Sequence, residues 1–252
     1  MAAVAAAGCA AGAINAVVGS GTLVTFPVLL ATGLPPVTAS VSNTLGLVPG
    51  NVSGAVGYRR ELAGQRALVL RLLPASALGA LTGAVLLLHL PAAAFEAVVP
   101  ALVGLAVVLV ATQPLLTRRL AARSGEPGTT PRGWRLAGLV AGAYATGSYG
   151  GYFAASQGVL QVGVFGLLLA EPLQRLNALK NVLSAAVNAV AALAYVVVAT
   201  DRVDWAAAGL VAGGSVVGGV VGARYGRRLP AAVLRTAIVV LGCVAIGVLV
   251  AR

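Results

Sequence analysis

Long apolar runs without charge decide the solvent of this chain. Residues 182–199 and 206–221 contain no Asp, Glu, Lys or Arg, and the runs 136–145 and 233–251 carry at most one. The longer runs approach the roughly 20 apolar residues that a spanning helix needs. With 59% hydrophobic and 9% charged residues over 252 positions, there is too little polar surface to cover a water-soluble domain of this size. The expected architecture is all-α and embedded in a lipid bilayer.

A net charge of +11 would point to nucleic acid in a soluble protein, so the placement of the basic residues matters. They gather in three loops: Arg59, Arg60 and Arg66; Arg118, Arg119, Arg123, Arg132 and Arg135; and Arg224, Arg227 and Arg228. Each cluster borders apolar spans, which is where cytoplasmic anchoring charge belongs. No basic stretch is interleaved with stacking aromatics, so nucleic acid is not an expected partner. The loops at 89–91 and 201–204 are poor in positive charge and are expected on the opposite side. The N-terminus has no basic leader and reads as part of the first membrane segment. Cys9 and Cys243 each sit in an apolar stretch and read as packing residues.

Two apolar segments are interrupted by glycine-rich turns at matching places. The first break is Gly19-Ser20-Gly21; the second is Gly147-Ser148-Tyr149-Gly150-Gly151, continuing to Gln157-Gly158. Sliding the chain along itself by about 137 to 139 positions pairs Gly21 with Gly158, Pro35 with Pro172, Asn43 with Asn181, Gly79 with Gly218, Gly83 with Gly222 and Pro91 with Pro230. The reading is a transmembrane repeat over 1–116, a turn-rich cytoplasmic linker over 117–135 and a second repeat over 136–252. If the arginine clusters share one side, aligned loops change sides between the halves, which requires an odd number of crossings per half, three or five, and makes the repeats inverted. Whether the broken segments cross or re-enter stays open at this level. Glycines four apart, as at Gly79 and Gly83, Gly138 and Gly142, and Gly214, Gly218 and Gly222, read as close helix packing.

Irregular backbone at membrane depth is tolerated only when buried in protein or lining a cavity, because an unsatisfied amide in hydrocarbon costs several kcal/mol. The breaks are therefore the candidate site: Gly19, Ser20, Gly21 and Thr22 at the first, Tyr149, Tyr152 and Gln157 at the second. A short helix starting after each break would offer free N–H groups to an anion. Downstream of the second break, Asn177, Asn181, Ser184 and Asn188 fall at helical spacing on one face. The matching stretch of the first half carries Ser40, Asn43, Thr44 and Asn51. These stripes either bind solute or hydrogen-bond between helices. Lys180, the one lysine beside sixteen arginines, is expected either to meet an anionic substrate, with Glu171 as its partner otherwise, or to reach the interface beside Arg175.

Catalysis has little to build on. There is no His-Glu-x-x-His and no pair of carboxylates on one helix face, and the single histidine, His89, stands at a helix end before Pro91. No metal or other cofactor is expected.

The stretch from Gly19-Ser20-Gly21-Thr22 through Pro27, followed by Gly33-Leu34-Pro35-Pro36 and Ser40-Val41-Ser42-Asn43-Thr44, resembles the opening of the sulfite exporter TauE/SafE family of membrane transporters. Tyr149-Gly150-Gly151-Tyr152-Phe153 through Leu176-Asn177-Ala178-Leu179-Lys180-Asn181 resembles its second repeat. The similarity covers essentially the whole chain, although the motifs are loose patterns of glycine, proline and small residues. It implies a multi-pass protein of a bacterial inner membrane that exports or takes up small sulfur-containing anions such as sulfite or an organosulfonate like sulfoacetate. The sequence departs from the family's longer glycine run at the first break through Ser20 and Thr22, and carries Tyr149 and Tyr152 at the second. These departures either add hydroxyl donors to a sulfonate or sulfite pocket or indicate a different anion. The expected function is alternating-access transport of a small anion, probed against uptake of another small anion and against a non-transporting membrane partner protein. Lipid and the small anion are the expected partners; oligomeric state is open.

Overall fold

A computed structural model describes residues 1–122, 131–169 and 171–225, with isolated positions 236, 239, 240 and 243. Arg123, Arg227, Arg228, Pro230, the turn-rich centre of the linker, Ala170 and most of the run 233–251 lie outside the described residues. The chain forms α1 (Ala2–Val17), α2 (Thr22–Ala31), α3 (Pro36–Gly57), α4 (Arg66–His89), α5 (Ala92–Ala122), α6 (Trp134–Tyr152), α7 (Gln157–Leu168), α8 (Leu173–Val198) and α9 (Trp205–Tyr225), with a single 3-10 turn before α9. The described residues contain no strand. The linker is shorter than expected, because α5 continues to Ala122 and α6 already starts at Trp134.

Among the described residues, four helices are long and apolar enough to cross a membrane: Arg66–His89, Ala92–Leu116, Leu173–Val198 and Trp205–Tyr225. Their outer faces expose Leu78, Leu105 and Val197 by 45% or more, as a bilayer-facing surface does. This is a multi-pass membrane protein. Trp134 and Trp205, both more than half exposed, begin α6 and α9 at the two opposite ends of the bundle, where interfacial tryptophans anchor. The helices α1, α2 and α7, of 16, 10 and 12 residues, reach only about 24, 15 and 18 Å, short of the ~30 Å hydrocarbon core.

These short pieces belong to two hairpins. Gly21 lies against the carbonyl of Ala11, and its N–H donates to Asn15 Oδ1 at 2.6 Å; ten further residues of helix would instead carry it about 15 Å away. The chain reverses after α1. It also reverses after α6: Gly138 lies against Leu168 and Gly142 against Val164, so α7 returns antiparallel along α6. Each broken segment therefore re-enters. The first turn falls at 18–21, as expected, with Gly19 at φ +90°. The second falls inside the expected break of 147–158 but past its first glycines, since Gly147–Gly151 is helical; the reversal occupies 153–156, where Ala154 and Ser156 hold φ of 59° and 61°. Non-glycine residues in that region cost roughly 1–2 kcal/mol each, so composition gave no signal there.

The displaced glycines have another task. Gly147 and Gly151 of α6 lie against the backbone of Ser76 and Ala80, while Gly79 and Gly83 of α4 lie against Tyr144 and Ser148. Likewise Gly8 and Gly12 of α1 meet Val211 and Ser215, and Gly214, Gly218 and Gly222 of α9 meet α1 in return. Both contacts are parallel. Close approach through small residues is what holds helices together where lipid removes the hydrophobic driving force. An offset of 139 relates Gly8 to Gly147, Gly12 to Gly151, Gly79 to Gly218 and Gly83 to Gly222.

The directions follow. Arg59, Arg60 and Arg224 border one cleft, and Gln65 and Ala63 bond to Arg175, so the start of α4, the start of α8 and the end of α9 share one basic end. At the other end Arg202 donates to Leu88 O at 3.3 Å, bringing the 89–91 and 201–204 loops together as expected. Parallel to α9, α1 runs toward the basic end. Parallel to α4, α6 runs away from it.

The glycine contacts predict an asymmetry along α9. A Cβ at Gly222 would sit 2.6 Å from Ala13 Cα, whereas one at Gly213 meets nothing within 4 Å. Gly222→Ala is expected to lower stability by about 1–3 kcal/mol through overpacking. Gly213→Ala is expected to leave it unchanged or raise it by up to about 1 kcal/mol. Thermal unfolding of the two purified variants in one detergent measures the difference.

Candidate functional site

The two hairpin tips touch in the interior of the bundle. Gly158 N–H donates to Gly19 O at 3.1 Å, and a Cβ on Gly158 would come within 2.6 Å of Gly19 Cα. Only glycine at both positions allows this approach. Aromatic rings brace it: Phe153 at the second tip packs edge-on to Phe26 of α2, with centroids 5.1 Å apart, and also contacts Phe95 of α5. Tyr149 donates its hydroxyl to Ala155 O and Tyr195 donates to Gly151 O, so carbonyls at the second reversal find partners within protein.

Beside the tips lies a small enclosed polar cavity, bordered by Asn15, Gly19, Asn51, Ala154, Gln157, Gly158, Ser184 and Asn188. Its space open to a water-sized sphere is about 10 Å³, room for roughly one water and too little for an oxyanion of sulfur. Several of its amides lack partners. Asn51 Nδ2, Gln157 Nε2 and Asn188 Oδ1 are buried without a hydrogen bond, as are Gln161 Nε2 and Ser20 Oγ. Of these, the Asn51, Gln157 and Asn188 atoms belong to residues that border the cavity, and buried polar atoms in native proteins are nearly always paired, with protein or with water. Other atoms of the same residues fix the amides in place. Asn15 Nδ2 donates to Asn51 Oδ1 at 3.1 Å, and Ser184 Oγ donates to Gln161 Oε1 at 2.9 Å.

The expected site residues divide into three groups. Gly19, Gln157 and Asn188 border the cavity. A second group lies apart: Asn43 accepts from Thr25 Oγ1 and donates to Thr22 Oγ1 at 3.1 Å, while Thr44 donates to Ser40 O at 3.0 Å. Asn43 thereby locks α2 onto α3, while the Thr44 bond stays within α3. The third group closes the end of α1. Lys180, fully buried, donates from Nζ to Asn15 O at 2.9 Å, and Asn181 Nδ2 donates to Ala16 O at 3.1 Å. A cation on the last carbonyls of a helix complements its dipole. Lys180 is thus neither at the interface nor paired with Glu171, which accepts instead from Arg175 Nε at 2.6 Å. Among the described residues it is the only charged side chain in the buried set.

Several further expectations are corrected. The helix starts after the breaks are not free, because Gly21 N–H is held by Asn15 Oδ1 and Gly158 N–H by Gly19 O. The tyrosines add no donor to the cavity: the Tyr149 hydroxyl is engaged by Ala155 O, and the Tyr152 ring packs on Phe95. Ser20, Gly21 and Asn177 are buried but do not border the cavity. The two polar stripes meet there only through Asn51, Ser184 and Asn188. Sequence reasoning missed Asn15 and Gln161; a lone amide in an otherwise apolar helix before each short helix or within it was the available signal.

Comparison with known proteins agrees with this architecture. The chain is 28% identical over 221 residues to the probable membrane transporter protein YfcA of Escherichia coli strain K12, covering 87% of this chain and 76% of that protein. The YfcA proteins of the O6:H1 and O157:H7 strains of E. coli match to the same extent. No solved structure matches. The sulfite exporter TauE/SafE family matches residues 4–249, and the chain belongs to that family of membrane transporters.

Proposed function

We propose that this protein exports a small sulfur-containing anion, sulfite or an organosulfonate such as sulfoacetate, across a bacterial inner membrane by alternating access. The observation that carries the reading is the enclosed cavity at the meeting of the two hairpin tips, with orphaned amide groups on three sides. Amide N–H groups are hydrogen-bond donors suited to oxyanions, and Asn or Gln can turn either end of its amide inward. Among the described residues, no charged side chain borders the cavity. The nearest one identified is positive: the Lys180 stem passes beneath Gly158, its Cδ 2.8 Å from where a Cβ would stand.

The cavity is too small for the proposed cargo, so the proposed cycle needs a state in which it is wider. Opening requires the tips to part. The proposed motion rocks the pair α1 and α9 against the pair α4 and α6 around Gly19 and Gly158, each pair joining one helix from each repeat; the opposite run of α1 and α6 relative to the basic end and the common offset of 139 support repeats of inverted topology. In an outward or inward state the Asn51, Gln157 and Asn188 amides would hold the anion, and Lys180 would remain on α1 as an electrostatic background. A purely packing role for the polar stripe is favoured at Lys180 and Asn181, whose donors are engaged by α1 carbonyls.

Two substitutions separate site from scaffold. Asn188→Ala removes an unpartnered group, so stability is expected to hold, while loss of one hydrogen bond to a charged solute, worth about 1.5–3 kcal/mol, lowers flux at subsaturating substrate about tenfold or more. Asn181→Ala is expected to cost about 1–2 kcal/mol of stability and to leave flux per folded molecule within about threefold. Unfolding temperature and proteoliposome flux on the same preparations read both; flux lost in Asn181→Ala at unchanged stability would move the site to the end of α1.

The cargo is tested in proteoliposomes with sulfite, sulfoacetate, taurine, thiosulfate, sulfate and chloride, with and without a pH gradient. Saturable flux of sulfite or sulfoacetate that is lost in Asn188→Ala is the expected result. Absence of flux for every solute in well-folded protein would overturn the reading.

A further inference from the structure

A second cavity lies at the basic end, far larger than the one at the hairpin tips. It has a volume of about 810 Å³ and opens between the end of α3, the 58–64 turn and the end of α9. Arg59 and Arg60 border it from the turn and Arg224 from α9, against a single carboxylate, Glu61. Positive charge therefore dominates. The floor of the cleft is apolar: Val56 and Val220 line it and are 54% and 52% exposed.

Those valines continue outward as a seam. One helical turn back from each stand Val52 on α3 and Val216 on α9, exposed by 48% and 39%, and Ser53 ties the two helices by donating to Val216 O at 3.4 Å. Residues four apart share a helix face, so the exposed valines form two parallel rows running from the cleft toward the middle of the bundle. A basic pocket above an apolar groove matches the two parts of a phospholipid. A soluble anion would use the arginines and leave the groove without a role.

We propose that this cleft is a binding site for an anionic phospholipid, with the phosphate held among Arg59, Arg60 and Arg224 and an acyl chain lying along the Val52–Val56 and Val216–Val220 rows. The site sits on the side that the positive-inside rule assigns to the cytoplasm, where clustered arginines next to spanning helices attract acidic lipid. Guanidinium groups suit the phosphate because each offers two parallel N–H donors. Placed where α3 and α9 end together, a bound lipid fastens the helix α9, on which α1 is packed, to the helix that leads into the basic turn.

The test uses the full chain in nanodiscs and native mass spectrometry. Phosphatidylglycerol is expected to be retained in preference to phosphatidylcholine, and the triple variant Arg59→Gln, Arg60→Gln, Arg224→Gln is expected to weaken that retention by roughly a hundredfold. Arg135→Gln, a basic residue outside the cleft, is expected to leave it unchanged. Unfolding temperature in pure phosphatidylcholine checks that the triple variant folds; if it does not, Arg224→Gln alone is expected to weaken retention by about fivefold. A third arm offers inorganic phosphate without acidic lipid. Equal retention of phosphatidylglycerol by wild type and the folded variants would overturn the proposal. So would cleft-dependent binding of inorganic phosphate as tight as that of the lipid, which would make the cleft a site for a soluble anion.

Discussion

The architecture depends on a single backbone hydrogen bond at membrane depth, from Gly158 N–H to Gly19 O. A chain that reverses inside a bilayer exposes amides that neither helix can satisfy, and hydrocarbon offers no water to replace them. Here each reversal is completed by protein. Asn15 holds the first short helix at Gly21, Gly19 holds the second at Gly158, and Lys180 with Asn181 covers the carbonyls where α1 stops. Asn15 also bonds Asn51 and Lys180 also reaches Ala16 O, so the two tips and α8 form one connected polar unit in an apolar bundle.

That unit explains a lysine where the rest of the chain uses arginine. An arginine's planar fork favours bidentate partners at an interface, whereas an ammonium on a flexible stem can point three donors at successive carbonyls. Lys180 reaches both Asn15 O and, at 3.5 Å, Ala16 O, and its stem fits below Gly158 only because that residue has no side chain. The two tips reach their reversals by different means. The first uses glycine at φ +90°, while the second holds Ala154 and Ser156 in the left-handed region, with Ser156 Oγ donating to Ala106 O on α5. Strain of that kind persists only where surrounding contacts over-determine it, and the aromatic brace of Phe26, Phe95 and Phe153 supplies such contacts.

The membrane setting, the helical class and the basic end were legible because they rest on composition and on where charges fall. The spacing of Gly79 with Gly83 and of Gly214, Gly218 and Gly222 was legible as close helix packing, and the contacts of those residues with α6 and α1 agree with it. Within the second break the reversal lies past the first glycines, because glycine has two uses in a membrane helix, turning the chain and admitting a neighbour's backbone, and Gly147 and Gly151 serve the second. Sequence alone could not separate them. The polar stripe on α8 was legible as a stripe, but its division among capping at Asn181, bonding to Gln161 at Ser184 and bordering the cavity at Asn188 depends on what faces each turn. Asn15 was passed over because its role, bonding Gly21 and Asn51 at once, exists only after the chain has folded back.

The closed cavity sets a condition on the proposed mechanism. Admitting an anion means separating surfaces that meet through glycine backbone and aromatic edges, interactions that individually amount to about 1 kcal/mol. The helix pairs that would move as bodies, α1 with α9 and α4 with α6, are instead joined along their length by glycine-mediated backbone contact. Cohesion is thus strong within each pair and weak at the tips. A bundle built this way yields first where the polar unit is, so the place that opens is also the place that carries the unpartnered amides. An anion entering there gains hydrogen bonds that the closed protein lacks, and this difference in bonding between states is what any solute must supply to bias such an equilibrium.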